Sequence, residues 1–222
     1  MMRRTGRIKQ CAVLGLGRFG TSLAKTLYSM GHEVIAVDID ESVVAAIANE
    51  VTYAVQADAT DEQALRDLGI RNVDIAVVSV GLLEQSVMAT LILKEMGVPC
   101  IVCKAVSDTH GTVLEKLGAD RVVFPERDMG LRVAHNLISG NLIDYLELAP
   151  GYSIIEAKAH TEFFHRTLGE IDLRARYGIN VIAVRRNEDI IVTPGADFRF
   201  EQGDVLIAMG PDDKLSKLED PE

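Results

Sequence analysis

The strongest constraint on this chain is the run Gly15-Leu16-Gly17-Arg18-Phe19-Gly20. The apolar run Cys11-Ala12-Val13-Leu14 precedes it, and an amphipathic segment over residues 21–30 follows it. That order reads as strand, glycine turn, helix. Gly15 permits the tight turn, Gly17 lets a pyrophosphate approach the backbone, and Gly20 lets the helix lie close to the strand. The helix then offers unpaired N–H groups and the positive end of its dipole to an anion. A second apolar run, Glu33-Val34-Ile35-Ala36-Val37, ends on Asp38, 18 residues beyond Gly20. A carboxylate at about that distance holds ribose hydroxyls in dinucleotide-binding folds. Arg18 places a cation on the first turn, where it opposes the dipole of its own helix. A phosphate partner explains it, with a solvated side chain as the plain alternative. Phe19 reads as a packing residue at the same turn.

The pattern then repeats. Helical spacing marks residues 41–50, 61–68, 84–96 and 110–117, and apolar runs mark strands at 52–56, 75–80, 98–104 and 121–124. Continuous apolar strands alternating with helices predict an α/β fold, a Rossmann-like doubly wound parallel sheet. Ligands in such sheets bind beyond the carboxyl ends of the strands, where strand order reverses. Asp38, Ile39 and Asp40 follow the second strand, Asp58, Ala59 and Thr60 the third, Val80 and Gly81 the fourth, and Lys104 ends the fifth. Asp58 and Ala59 suit the side of an adenine ring. The alternative for Asp58 and Thr60 is a helix N-cap. Lys104 can reach a phosphate, a neighbouring subunit, or only solvent.

Charge and composition exclude other classes. The net charge is −10, with basic residues scattered rather than grouped, so nucleic acid is not an expected partner. No apolar run approaches the ~20 residues that span a bilayer. The basic start, residues 1–7, leads into a strand rather than a signal-peptide core, which reads as cytoplasmic. The three cysteines include Cys100-Ile101-Val102-Cys103, but no second ligand pair accompanies that spacing. All three read as buried thiols.

Residues 129–145 read as a helix with an apolar face of Val133, Leu137, Ile138 and Leu142, bent at Ser139-Gly140. Such a face suits subunit packing or a plain linker helix. Beyond Gly151 the texture changes to short strands at 153–159, 180–184, 190–193 and 205–209, with short helices at 168–171 and 213–218. This predicts a small α+β lobe. The expected division is therefore 1–125 for the nucleotide-binding lobe, 126–148 for a crossover helix, and 149–222 for the second lobe.

Several stretches together resemble the regulators of potassium conductance, the RCK or KTN (TrkA-type) regulatory subunits of Ktr and Trk potassium-uptake systems. They are the glycine run, Asp58-Ala59-Thr60, Leu114-Glu115-Lys116-Leu117-Gly118-Ala119-Asp120 and Pro125-Glu126-Arg127-Asp128-Met129-Gly130. The resemblance covers nearly the whole chain. It implies an RCK N-lobe that binds ATP, ADP and NAD(H), and self-association as a dimer assembling into an octameric ring. It implies a membrane potassium-translocating subunit as partner, so the ring would be peripheral to the inner face of the cell membrane. By the same resemblance Arg18 reaches phosphates across a subunit interface and Glu126 joins a divalent or monovalent cation site. The local alternative for Glu126 is a first-turn carboxylate satisfying its helix dipole. The second lobe resembles the RCK C-lobe (TrkA-C), which in some members binds cyclic di-AMP. Ile171, Leu173, Arg174, Asn180 and Pro194 match that ligand-contacting stretch.

The rival classes are an NAD(P)-dependent oxidoreductase and a redox sensor. Hydride transfer needs a positioned proton donor beside the nicotinamide. His32, His110, His135, His160 and His165 form no recognisable acid–base constellation. A DNA-binding sensor would need a basic helix-turn-helix, and none is apparent. The sequence therefore reads as a regulatory subunit, not an enzyme.

Overall fold

The computed structural model describes residues 7–138 and 142–219. The basic start up to Gly6 and the expected bend at Ser139-Gly140 lie outside the described residues. The chain divides into two compact units, Met1–Glu126 and Arg127–Glu222.

The first unit alternates strand and helix: β1 (Gln10–Leu14), α1 (Arg18–Ser29), β2 (Glu33–Asp38), α2 (Glu41–Ile47), β3 (Tyr53–Gln56), α3 (Glu62–Asp67), β4 (Ile75–Val78), α4 (Leu83–Glu95), β5 (Ile101–Lys104), α5 (Asp108–Leu117) and β6 (Arg121–Val123). All six strands pair in parallel, in the order β3-β2-β1-β4-β5-β6. Alternation along the central strands divides their side chains between two cores. Ala12, Leu14, Ala76 and Val78 face one, with Leu65, Leu93 and Leu114 from the helices. Val13, Ala36 and Val77 face the other, with Ala24, Val44 and Ile47. A sheet covered on both faces needs continuous apolar runs, which β1 carries over 11–14, β2 over 34–37 and β4 over its whole length. The order reverses between β1 and β4, which opens a crevice at their carboxyl ends.

Two thiols, Cys11 and Cys103, are buried, and burial pushes both up in pKa. Cys100 stands just before β5 and is half-exposed, which corrects the expectation of three buried thiols.

The helix α6 (Pro125–Ile138) begins at the end of the first unit. The second unit then holds β7 (Leu142–Ala149), β8 (Tyr152–Lys158), α7 (Leu168–Ile171), α8 (Leu173–Tyr177), β9 (Asn180–Arg186), β10 (Asp189–Val192), β11 (Val205–Pro211) and α9 (Asp212–Glu219). Its five strands form an antiparallel sheet in the order β10-β9-β11-β8-β7. Phe200, Ile155, Leu206, Leu173 and Ile179 fill the core on its covered face.

The helix expected to run to residue 145 is not what forms: Leu142–Ala149 is a strand. Its register shifts between Leu142 and Asp144 and again between Glu147 and Ala149. Two irregularities break the alternation that would announce a strand, leaving Leu142, Tyr145, Leu146 and Ala149 at helical spacing. Arg132 of α6 is bound to Asp144 of this strand, and His135 stacks on Tyr145 with ring centroids 4.2 Å apart.

Within the second unit, Arg186 donates from Nε and Nη2 to the two oxygens of Asp204, each at 2.8 Å. Asp204 is 1% exposed. Removing one partner of a buried pair leaves the other charge uncompensated, which costs about 3–5 kcal/mol. Arg186→Met is therefore expected to lower stability by about 3 kcal/mol. Urea denaturation checks this, and an unchanged midpoint would show that the pair contributes little.

Candidate functional site

The glycine turn is held from three sides. The Gly15 N–H donates to the Val37 carbonyl at 2.8 Å, and the Leu16 N–H to Asp38 Oδ2 at 2.5 Å. Ser79, at the end of β4, donates through Oγ to the Gly15 carbonyl at 2.5 Å and lies 3.2 Å from the Leu14 carbonyl. Gly15 has φ of +93°, a region that side chains other than glycine's rarely adopt. At Gly20 the constraint is contact instead. A Cβ there would stand 2.0 Å from the Gly15 oxygen and 2.5 Å from Ser79 Oγ.

Gly17 differs from both. It is exposed, its φ is −63°, and a Cβ would meet nothing within 4 Å. The chain itself does not require glycine here, so the missing side chain leaves room for something outside it. Gly17 caps α1 with no side-chain hydrogen bond, and no acidic residue stands in the helix's first turn. The leading N–H groups of a 12-residue helix thus face outward with no carboxylate nearby on that turn.

A cavity of about 270 Å³ opens at this turn. It spans the carboxyl ends of five strands: Gly15 and Gly17 after β1, Asp38 and Ile39 at β2, Ala57 to Thr60 after β3, Ser79 to Gly81 after β4, and Lys104 on β5. Most of the residues expected from the sequence are therefore brought together across the reversal of strand order. Arg18, Phe19, Gly20 and Asp40 are not on the wall. Arg18 is exposed on the first residue of α1, Phe19 is half-buried, and Gly20 is buried against the turn. Asp40 accepts from the N–H and hydroxyl of Ser42 as the N-cap of α2, and these bonds hold its carboxyl below the usual range. Ser79 and Gln85 line the cavity and were missed by the sequence reading, because a single serine or glutamine after a strand carries no pattern.

Asp38 accepts from two backbone N–H groups, one from Leu16 and one from Asp40 at 2.9 Å. A carboxylate has about four lone-pair sites, so capacity remains for hydroxyl donors. Asp58 does not cap a helix. It accepts from the N–H and hydroxyl of Thr60 at 2.8 and 2.7 Å, which hold its carboxyl below the usual range, the N–H contributing most. The cap of α3 is the next acid, Asp61, through the N–H groups of Gln63 and Ala64.

Lys104 Nζ donates to Glu126 Oε1 at 2.6 Å. This bond holds the Glu126 carboxyl below its ordinary pKa, and the charge of Arg18 adds a smaller contribution in the same direction. Among the described residues no group of three histidine, cysteine or carboxylate side chains could hold a metal ion. With Glu126 bound to Lys104, these residues do not build a cation cage in one chain.

In the second unit, Ile171 and Leu173 are 2% and 1% exposed and belong to the core. Arg174 and Asn180 are exposed, and Pro194 is half-buried. None of the five histidines is on the cavity wall. His110 is buried, its pKa lowered by desolvation, His135 stacks on Tyr145, and His160 caps a short helical turn.

Comparison with known proteins gives two family-model matches, a TrkA-N domain over residues 11–125 and a TrkA-C domain over residues 152–221. The chain is 46% identical to Ktr system potassium uptake protein C of Bacillus subtilis (strain 168), over 95% of this chain and 96% of that protein. It is 42% identical to Ktr system potassium uptake protein A of the same strain, over 96% and 98%. A crystal structure of GsuK bound to ADP matches 58% of this chain and 33% of its own, at 27% identity and a TM-score of 0.51.

The two flanking glycines separate by what each faces. Gly20→Ala forces overpacking and is expected to destabilise the protein by about 1–3 kcal/mol. Gly17→Ala should change stability by no more than about 1 kcal/mol, the scale of a helix N-cap change. Urea midpoints of the two variants check the contrast, and equal losses would contradict it.

Proposed function

This chain belongs to the TrkA-type (RCK) family of regulatory subunits of Ktr potassium uptake, and from that membership we propose that it senses adenine nucleotides at the glycine turn. The observation that carries the reading is Gly17: an exposed glycine that its own chain does not need, at the uncapped start of α1, on the wall of the cavity. The phosphates take the α1 N–H groups above Gly17, as anions do at helix N-termini. Asp38 receives ribose hydroxyls, and the apolar Ile39 and Ala59 flank the adenine beside the Asp58-Thr60 turn. ATP and ADP fit this description, as does NAD(H), which carries the same ribose and pyrophosphate. The ADP complex of GsuK supports an adenine diphosphate as the ligand class.

The role is regulation, not catalysis. With no histidine on the cavity wall among the described residues, no proton donor of that type stands ready for hydride chemistry. A regulatory ligand acts through different affinities for two states. The state-dependent element is a ring of copies docked on a membrane potassium-translocating subunit at the inner face of the membrane. Self-association is supported by α6, whose Met129, Leu131, Val133, Leu137 and Ile138 are all exposed. No helix among the described residues is long and apolar enough to cross a membrane. Arg18, exposed and off its own cavity wall, serves the phosphates of a nucleotide held by a neighbouring copy.

Calorimetry on the purified chain tests the site. Gly17→Ala should weaken ADP and ATP at least tenfold, about 1.4 kcal/mol. Full retention of both affinities would remove the glycine turn from the site. Arg18→Ala should keep adenosine affinity and reduce the preference between ATP and ADP. An unchanged preference would leave Arg18 without a role in sensing.

A further inference from the structure

The polar side chains on the cavity wall are Asp38, Asp58, Thr60, Ser79, Gln85 and Lys104. All but one are engaged by their own chain. Asp38 accepts from the N–H groups of Leu16 and Asp40, and Asp58 accepts from Thr60. Thr60 and Ser79 spend their hydroxyl hydrogens on Asp58 and the Gly15 carbonyl, and Lys104 donates to Glu126. Gln85 is the exception. Among the described residues its side-chain amide has no hydrogen-bond partner, although the residue is half-buried. It is the third residue of α4, on the β4 side of the crevice. An amide offers two N–H donors and a carbonyl acceptor at one tip, without charge.

Its place in the sheet selects what that amide can meet. The nucleotide reading puts adenine and its ribose on the β2–β3 side and the phosphates at the glycine turn after β1. β4 lies on the far side of that turn, two strands and about 10 Å from β2. A third phosphate reaching there presents only acceptors, which suit the two N–H groups but oppose the carbonyl oxygen. The hydroxyls of a second ribose both donate and accept, so they satisfy both ends of the amide. Dinucleotides lie across such a reversal of strand order. Resting on the nucleotide reading above, we propose that Gln85 hydrogen-bonds the second ribose of a ligand built as ADP joined to a further ribosyl group. Gln85 thereby separates dinucleotides such as NAD(H) from ATP and ADP, which lack the group it reads. The two ligand types share the glycine turn and Asp38 and differ at one side chain of α4.

The test is calorimetric titration of the intact chain with ADP, ATP, ADP-ribose and NADH, for the parent and for Gln85→Met. Met keeps the length and removes the amide, and melting curves with an unchanged ADP affinity check that the variant folds. The expected result is ADP-ribose and NADH weakened alike by about two- to tenfold, what one neutral hydrogen bond is worth. ADP and ATP should bind as they do to the parent. A loss for ATP with ADP-ribose unaffected overturns the proposal, since Gln85 would then meet a terminal phosphate. A loss for NADH alone overturns it too, because the contact would lie on the nicotinamide. Equal losses for all four ligands would make Gln85 a shaping residue of the cavity and not a reader. A parent that binds none of the four sinks the site reading and this proposal with it. A parent that binds ADP and ATP, with ADP-ribose and NADH indifferent to Gln85→Met, sinks this proposal alone.

Discussion

Everything at the first unit's upper edge depends on the close approach of α1 to the end of β1. That approach exists because Gly20 has no Cβ and because Ser79 ties the Gly15 carbonyl from the neighbouring strand. Asp38 holds the same turn from the other side through the Leu16 N–H. Three strands, β2, β1 and β4, are thereby fastened to one four-residue bend. The bend is rigid before any ligand arrives, so its N–H groups need little reorganisation to meet a phosphate. Asp38 accordingly has two tasks: it shapes the turn, and its remaining lone pairs face the cavity.

The two units are built on opposite principles. In the first, a parallel sheet buries both faces, and at its carboxyl edge polar side chains from β2, β3, β4 and β5 converge around the glycine turn that follows β1. In the second, an antiparallel sheet carries a single core on one face, with Phe200 fully buried in it and Arg186 neutralising the buried Asp204. The first has a crevice and the second has a compact core. Between them in sequence runs α6, with none of its residues buried. A helix with five exposed large apolar side chains is poorly suited to water alone.

Much of this could be read from the residues alone, and the exceptions have physical causes. The central strands announced themselves because burial on both faces demands unbroken apolar runs. The cavity wall was legible because a doubly wound sheet fixes where ligands sit, so Asp38, Asp58 and Lys104 could be placed by counting strands. β7 was hidden by its two register shifts, which turn an edge strand into a helical pattern. The short helix α8 was hidden because Asp172, at φ of +54°, breaks the chain from α7 and starts a new turn at once. Ser79 and the Lys104–Glu126 pair were out of reach because their partners lie 64 and 22 residues away. Local pattern carries no information about such contacts. Ile171 and Leu173, matched by position to a ligand-contacting stretch, are buried in the core of the second unit.

The central claim is that a phosphate-bearing adenine ligand settles on the α1 N-terminus and the crevice between β1 and β4. The most direct measurement is a nuclear magnetic resonance titration of the ¹⁵N-labelled chain with ADP, following backbone amides residue by residue. The account predicts the largest shifts at the amides from Leu16 to Gly20, with a second group from Ile39 to Thr60 and at Val80 and Gly81. Saturating ADP that leaves the Leu16–Gly20 amides in place, or moves only residues of the second unit, would contradict it.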